Sequence, residues 1–261
     1  MDMIRNITSS RLASSRFIQA VIRQLYPFGS IRTVHRGSLK GLRYKVAPGM
    51  GFTYAWAWGV EQWDFSDLVR PGMCVYDIGA NCGQSTLSLA KVVGHSGLVV
   101  AFEPVETNFA ILASNIRLNP SLRVIPVCAA ASEQNGPLDF LLDSNRPTQG
   151  RLSYVEPSYT LPQAERMSVR GIRLDQYISE NWPAPQFLKI DVEGGAGAVL
   201  RGARSLIAHH RPTIYLELHG PEEQEAVREL LTFGYVANTP SGLQVPNPTV
   251  GWFNPLICKP R

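Results

Sequence analysis

The sequence predicts an α/β fold built on a parallel sheet, and three observations carry that prediction. Short, almost wholly apolar runs at 75–78, 98–102, 124–127, 187–190 and 214–218 alternate with stretches of helical periodicity, as strands covered on both faces require. The first run ends in a glycine-rich turn, Asp77-x-Gly79-x-Asn81-x-Gly83, that opens directly onto a helical stretch. The second run ends in an acid, Glu103, 26 residues after Asp77. A glycine turn and a second-strand acid are the parts of a nucleoside-type site at the carboxyl edge of an open sheet.

The remaining elements follow in order. Phe17, Ile18, Val21, Ile22 and Leu25 recur at helical spacing, which marks a helix packed on its own domain or lying on a membrane surface. Residues 31–46 read as a hairpin, with Ile31, Thr33 and His35 alternating on one arm, Leu42, Tyr44 and Val46 on the other, and a turn between Gly37 and Gly41. Helices are expected at 84–93, 106–118, 199–209 and 222–233. Residues 144–168 are rich in Pro, Ser, Gln and Arg and read as a long excursion, a lid or substrate loop. The division is residues 1–54, a basic helix and hairpin extension, and 55–261, the catalytic domain.

Composition removes several classes. With 261 residues, 44% hydrophobic and 18% charged, the chain is neither disordered nor fibrous. Cys74, Cys82, Cys128 and Cys258 form no CxxC pair, which fits reduced thiols in a cytosol rather than a disulfide scaffold or zinc ribbon. No apolar run reaches the ~18 residues of a membrane span, and Arg11, Arg16 and Arg23 interrupt any signal-peptide core. Residues 1–45 hold nine Lys/Arg against one acid, whereas the rest of the chain holds sixteen against twenty. A basic arm on an acidic body suits anionic lipid, nucleic acid or a phosphorylated substrate, though the acidic body and the lack of an RNA-binding module argue against nucleic acid. The expected location is the cytoplasm, at the inner membrane surface if the arm binds lipid.

The glycine turn lacks the GxGxxG spacing of dinucleotide sites, and Asp77 repels phosphate. An acid there suits a cationic ligand without phosphate, and S-adenosylmethionine has an ammonium, a sulfonium and no phosphate. Asp77 is expected near its amino-acid end, directly or through water. Gly79 and Gly83 are expected to leave room for it, and Asn81 to shape the turn. Glu103 accepts ribose hydroxyls in this reading, or else favours the start of the next helix through its dipole. In the fourth run, Lys189, Asp191 and Glu193 alternate with apolar residues and share one face. A Lys189–Asp191 ion pair is one account of them. The other sets Asp191 beside donor and acceptor, where it orients a hydroxyl, takes its proton or helps hold a divalent cation. Glu217 and His219 end the fifth run. His219 is a candidate general base, or a structural histidine.

VYDIGANCGQST, AFEP with Asn108 and Asn115, AAASEQNG at 129–136, RLDQYI at 173–178, FLKIDVEG at 187–194 and YLELH at 215–219 together resemble the FkbM family of S-adenosylmethionine-dependent methyltransferases, as does Gly59-Val-Glu61 upstream. The resemblance spans about residues 55–260. It implies a class I, Rossmann-like methyltransferase fold, whose seven-stranded sheet is parallel except for an antiparallel last strand. It implies O-methylation of a sugar, glycolipid, polysaccharide or secondary-metabolite hydroxyl. By position, Asp77, Gly79, Asn81, Gly83 and Glu103 become cofactor residues, and Asp191 and Glu193 flank the active centre, with His219 the third catalytic candidate. The family usually follows KIDVEG with a small residue and Glu. Here Gly195-Ala196-Gly197 stands instead, which removes one candidate catalytic or helix-capping carboxylate. Two alternatives stay open: an RNA 2′-O-methyltransferase, and a cofactor-binding protein without turnover. Magnesium on Asp191, Glu193, Glu217 and His219 and a homo-oligomer are compatible with the sequence, and nothing in the spacing demands either.

Overall fold

The computed structural model describes residues 24, 26–35, 39–47, 65–143, 146–153, 164–180, 182–219, 223–246 and 255–261. The expected helix over 17–25, the Gly59-Val-Glu61 segment and the boundary at residue 54 lie outside them.

The central sheet has seven strands: β3 (Cys74–Ile78), β4 (Leu98–Phe102), β5 (Val124–Val127), β10 (Phe187–Ile190), β11 (Thr213–Leu216), β12 (Tyr235–Asn238) and β13 (Leu256–Pro260). Their order is β12-β13-β11-β10-β3-β4-β5. β13 runs antiparallel to both of its neighbours, and the pairings from β11 through β5 are parallel. Every residue of β3 and β10 is buried, which is why those runs are apolar apart from Asp77 and Lys189, which face each other. Register fixes the working edge. Ile78 pairs with both Phe102 and Ile190, and Ile190 pairs with Leu216. Four strands therefore end at one level, and the next residues, Gly79, Glu103, Asp191 and Glu217, emerge side by side.

Helix α1 (Gln84–Val93) follows the glycine turn, and α2 (Glu106–Arg117) follows Glu103. The single helix expected over 199–209 is two: α4 (Ala196–Arg201) and α5 (Arg204–His210), preceded by the short α3 (Leu174–Ser179). The break falls at Gly202, where a Cβ would strike the backbone of Ser132. The carboxylate of Asp175 then caps the restarted helix, accepting the N–H groups of Leu206 (2.8 Å) and Ser205 (3.1 Å). The last helix, α6 (Gln224–Thr232), is shorter at both ends than expected.

Within 144–168 the described residues are mostly strand rather than an irregular excursion, while 144–145 and 154–163 of the expected loop lie outside the described residues. β6 (Ala130–Ala131), β7 (Gly136–Asp143), β8 (Arg146–Leu152) and β9 (Ala164–Ile172) form a second sheet in the order β6-β9-β7-β8. Leu138, Phe140, Leu152 and Val169 point into one cluster with Val105 and Ala130. Pro137 and Asp139 alternate with them on the exposed face. A sheet buried on one side only has a half-polar composition, and that composition disguised it as loop.

The hairpin is present as β1 (Ile31–Thr33) and β2 (Arg43–Lys45), paired antiparallel. Leu42 and Tyr44 of the second arm are buried with Val34, Cys82 and Leu87, so this arm faces the domain, while Ile31 is 49% exposed.

Candidate active site

The glycine turn is shaped by three left-handed residues: Gly79 (φ +82°), Asn81 (φ +51°) and Gly83 (φ +92°). The N–H groups of Gly79 and Ala80 donate to the Phe102 carbonyl at 3.1 and 2.9 Å. A Cβ on Gly79 would collide with the Asp191 carbonyl oxygen, and one on Gly83 with Leu112. The space saved by these glycines is therefore used first by the protein itself, to bring the β3 and β10 tips and α2 against the turn. Gly79 and Asn81 line the cleft above the sheet edge.

Glu103 is 4% exposed and lines the same cleft. Its Oε2 accepts the Asn81 N–H at 2.9 Å. Its Oε1 accepts the Val105 N–H at 3.0 Å and the Asn108 amide at 3.4 Å. Burial pushes the carboxyl up to about 7, against the pull of those three donors. The lone pairs left on both oxygens suit the two hydroxyls of a ribose.

Asp77 does not line the cleft. It is fully buried below the edge, where Oδ2 accepts the hydroxyls of Thr86 (2.6 Å) and Ser85 (2.9 Å) and Oδ1 lies 3.4 Å from Lys189 Nζ. Direct contact with a ligand's amino-acid end is thus replaced by a support role. Lys189, 1% exposed, also meets Asp191 Oδ2 at 3.0 Å. Burial disfavours its charge, but the carboxylates of Asp191 and Asp77 outweigh burial and hold the ammonium above its ordinary value. The ion pair read from the sequence is real, and it has two acidic partners on adjacent strands.

Asp191 continues the chain of charge. Its Oδ1 meets His219 Nε2 at 2.9 Å, and His219 Nδ1 lies 3.3 Å from Glu193 Oε2. Burial raises the Asp191 carboxyl, but Lys189 and His219 more than reverse this and hold it well below the usual range. For His219, burial opposes the charge. The hydrogen bond to Asp191 and the charges of Glu193, Asp191 and Glu223 win and push the imidazole up to about 9. Two carboxylates clamp the His219 ring and favour its imidazolium form, which speaks against a ready general base. Glu217, beside this group, is raised by burial and by the Asp191 charge.

The cleft brings Gly79, Asn81, Glu103, Asp191 and Glu193 together at the sheet edge. Ala129, Ala130, Phe140 and Leu142 give the cleft apolar surface, and Glu103, Asp191, Glu193 and Arg151 give it charge. Apolar surface for a flat base, a carboxylate for ribose hydroxyls and acids for a cationic tail suit S-adenosylmethionine. Among the described residues no group of three His, Cys, Asp or Glu donors is arranged to hold a metal. Both ring nitrogens of His219 face carboxylates instead, so the residues do not fit the magnesium site that the sequence left open.

Sequence reasoning missed three contributors. Arg151 and Phe140 reach the cleft from the second sheet, which composition concealed. Glu223, 3% exposed, accepts the Ala196 N–H at 3.2 Å and the backbone N–H of His219. The carboxylate absent after KIDVEG is thus supplied to the start of α4 from another element. Its only sequence signal is an acid near the start of α6.

The sheet order, the antiparallel β13 and the cleft define a class I methyltransferase. The methyltransferase FkbM domain matches residues 77–237, and the chain belongs to the FkbM methyltransferase family. Its fold is similar to that of a methyltransferase FkbM from Methylobacillus flagellatus, at 19% identity and a TM-score of 0.51, over 83% of this chain and 56% of that one. The chain thus spans just over half of that protein's length. More distant are an O-methyltransferase from Bacillus cereus in complex with S-adenosylhomocysteine (17% identity, 72% and 74% covered, TM-score 0.42) and an Aeropyrum pernix fibrillarin with natively bound S-adenosylmethionine (12%, 73% and 67%, 0.44). No curated protein matches the chain.

Proposed function

We propose that this protein transfers a methyl group from S-adenosylmethionine to a hydroxyl of a sugar, of a glycolipid or polysaccharide unit, or of a secondary metabolite. The observation that carries this reading is the Asp191–His219–Glu193 bridge at the rim of the Glu103 cleft. Bound there, S-adenosylmethionine supplies a methyl group already activated on a sulfonium. The protein's work is alignment and proton removal. Glu103 and the 79–83 turn hold the adenosyl half. Asp191, fixed by Lys189 and His219, is a poor base and serves to orient the acceptor hydroxyl. Glu193 lines the cleft and takes the hydroxyl proton as the hydroxyl oxygen bonds to the methyl carbon and the carbon–sulfur bond breaks, which leaves S-adenosylhomocysteine. The His219 imidazolium steadies both carboxylates and keeps its own proton. Glu223 at the start of α4 weighs against the reading of a fold that has lost turnover.

The test is a methyl-transfer assay over hydroxylated sugars, glycolipids and glycans, read by mass spectrometry. One acceptor gains a methyl group with wild-type protein. With Glu193→Gln, kcat falls by roughly 10²–10⁴, the usual worth of a general base, while S-adenosylhomocysteine affinity is kept. Transfer only to an amine, or full activity in Glu193→Gln, contradicts the mechanism.

We also propose peripheral attachment to an anionic membrane. Phe28 and Ile31 are exposed beside Arg43 and Lys45, Ile31 pairing directly with Lys45, and the arm before them is basic. Binding to vesicles that contain anionic lipid, lost at high salt and absent with neutral lipid, is the expected result.

A further inference from the structure

We propose that the N-terminal hairpin is part of the cofactor site, and that Asn115 is the positioning residue that joins the two. This rests on the reading of the Glu103 cleft as the adenosyl site. Asn115 lies on α2 and is fully buried. Its single amide is used in two directions. Oδ1 accepts the backbone N–H of Lys45 in β2 at 2.7 Å, and Nδ2 donates to the carbonyl of Cys82 at 2.7 Å. Cys82 is the last residue of the turn before Gly83. Its own N–H donates to the Asn81 side chain at 2.7 Å, and the Asn81 N–H donates to Glu103 at 2.9 Å. A continuous line of hydrogen bonds therefore runs from the hairpin through Asn115 and the turn to the carboxylate that faces the cleft.

The turn requires such support. Asn81 is a non-glycine residue in the left-handed region, a conformation that persists only when its surroundings fix it. β4 fixes the turn from one side, through the Phe102 carbonyl and Glu103. Asn115 and the hairpin fix the other. The Cys82 side chain is packed in one cluster with Val34, Leu42 and Tyr44 of the hairpin, so the same residue is held by its side chain and by its carbonyl. An amide is needed at position 115, because only a group that both accepts and donates can serve Lys45 and Cys82 together.

A neighbour provides the control. Asn119 accepts the Arg43 N–H at 2.9 Å and donates to the Arg43 carbonyl at 2.7 Å. It holds the same strand and makes no bond to the turn. The experiment compares wild type, Asn115→Asp and Asn119→Ala by S-adenosylhomocysteine calorimetry and by hydrogen exchange. Asn115→Asp keeps the acceptor for Lys45 and loses the donor to Cys82. It is expected to weaken S-adenosylhomocysteine about tenfold, the worth of one buried hydrogen bond, and to speed exchange across residues 79–83. Asn119→Ala is expected to speed exchange across 43–47 and to leave affinity within about twofold. Wild-type affinity and exchange in Asn115→Asp overturn the proposal, as does an equal loss in both variants. If wild type itself fails to bind, the adenosyl reading falls. Exchange at 79–83 still decides whether Asn115 braces the turn.

Discussion

Lys189 is the residue on which the site's charges depend. It sits between Asp77 and Asp191 on adjacent strands, with almost no water to screen it. Lys189→Met leaves two acids facing each other and is expected to cost about 3–5 kcal/mol in urea unfolding at neutral pH. His219 gives a pH signature. Its folded value near 9 exceeds its ordinary 6.5. The stability it contributes is full below about 6.5 and is lost as pH rises through about 9. Unfolding measured from pH 6 to 10 shows this alkaline loss in wild type, and His219→Asn removes it. Glu103, raised to about 7, gives the opposite trend in ligand binding. Its ionised form accepts ribose hydroxyls better, so S-adenosylhomocysteine affinity rises between about pH 6 and 8 and is flat in Glu103→Gln. The acids themselves were legible, because a charge at the end of an apolar run is conspicuous. Which acid faces the ligand was not, because strand register, which sets Asp77 inside β3 and Glu103 just beyond β4, is not written in either run alone.

At the scale of elements, β4, β5 and β10 have the very ends expected of them, since a short, mostly apolar run bounded by polar residues is conspicuous. The second sheet was not, because its exposed face is polar. The helix break at Gly202 was hidden for another reason: the obstacle, Ser132, is 70 residues away in the chain. Two substitutions separate support from site. Asp175→Ala removes the cap of α5 and is expected to cost about 1 kcal/mol with no change in S-adenosylhomocysteine affinity. Phe140→Ala removes both core and cleft wall. It is expected to cost about 3–5 kcal/mol and to weaken the ligand as well. Paired denaturation and calorimetry check both.

The whole molecule joins a class I methyltransferase sheet to a basic hairpin that packs on its glycine turn. Four of the family's motifs, VYDIGANCGQST, AFEP, FLKIDVEG and YLELH, mark strand ends, and the register of β11, β10, β3 and β4 collects them at one edge. The central claim is that Glu103 holds an adenosyl ligand in this cleft. Thermal unfolding with and without S-adenosylhomocysteine, on wild type and Glu103→Ala, tests it most directly. Ligand at 100 times its dissociation constant adds about 2.7 kcal/mol, a midpoint shift of roughly 5–10 °C for a domain of this size. Wild type is expected to show that shift, and Glu103→Ala to lose all or nearly all of it. No shift in folded wild type at millimolar ligand, or an equal shift in both proteins, would contradict it.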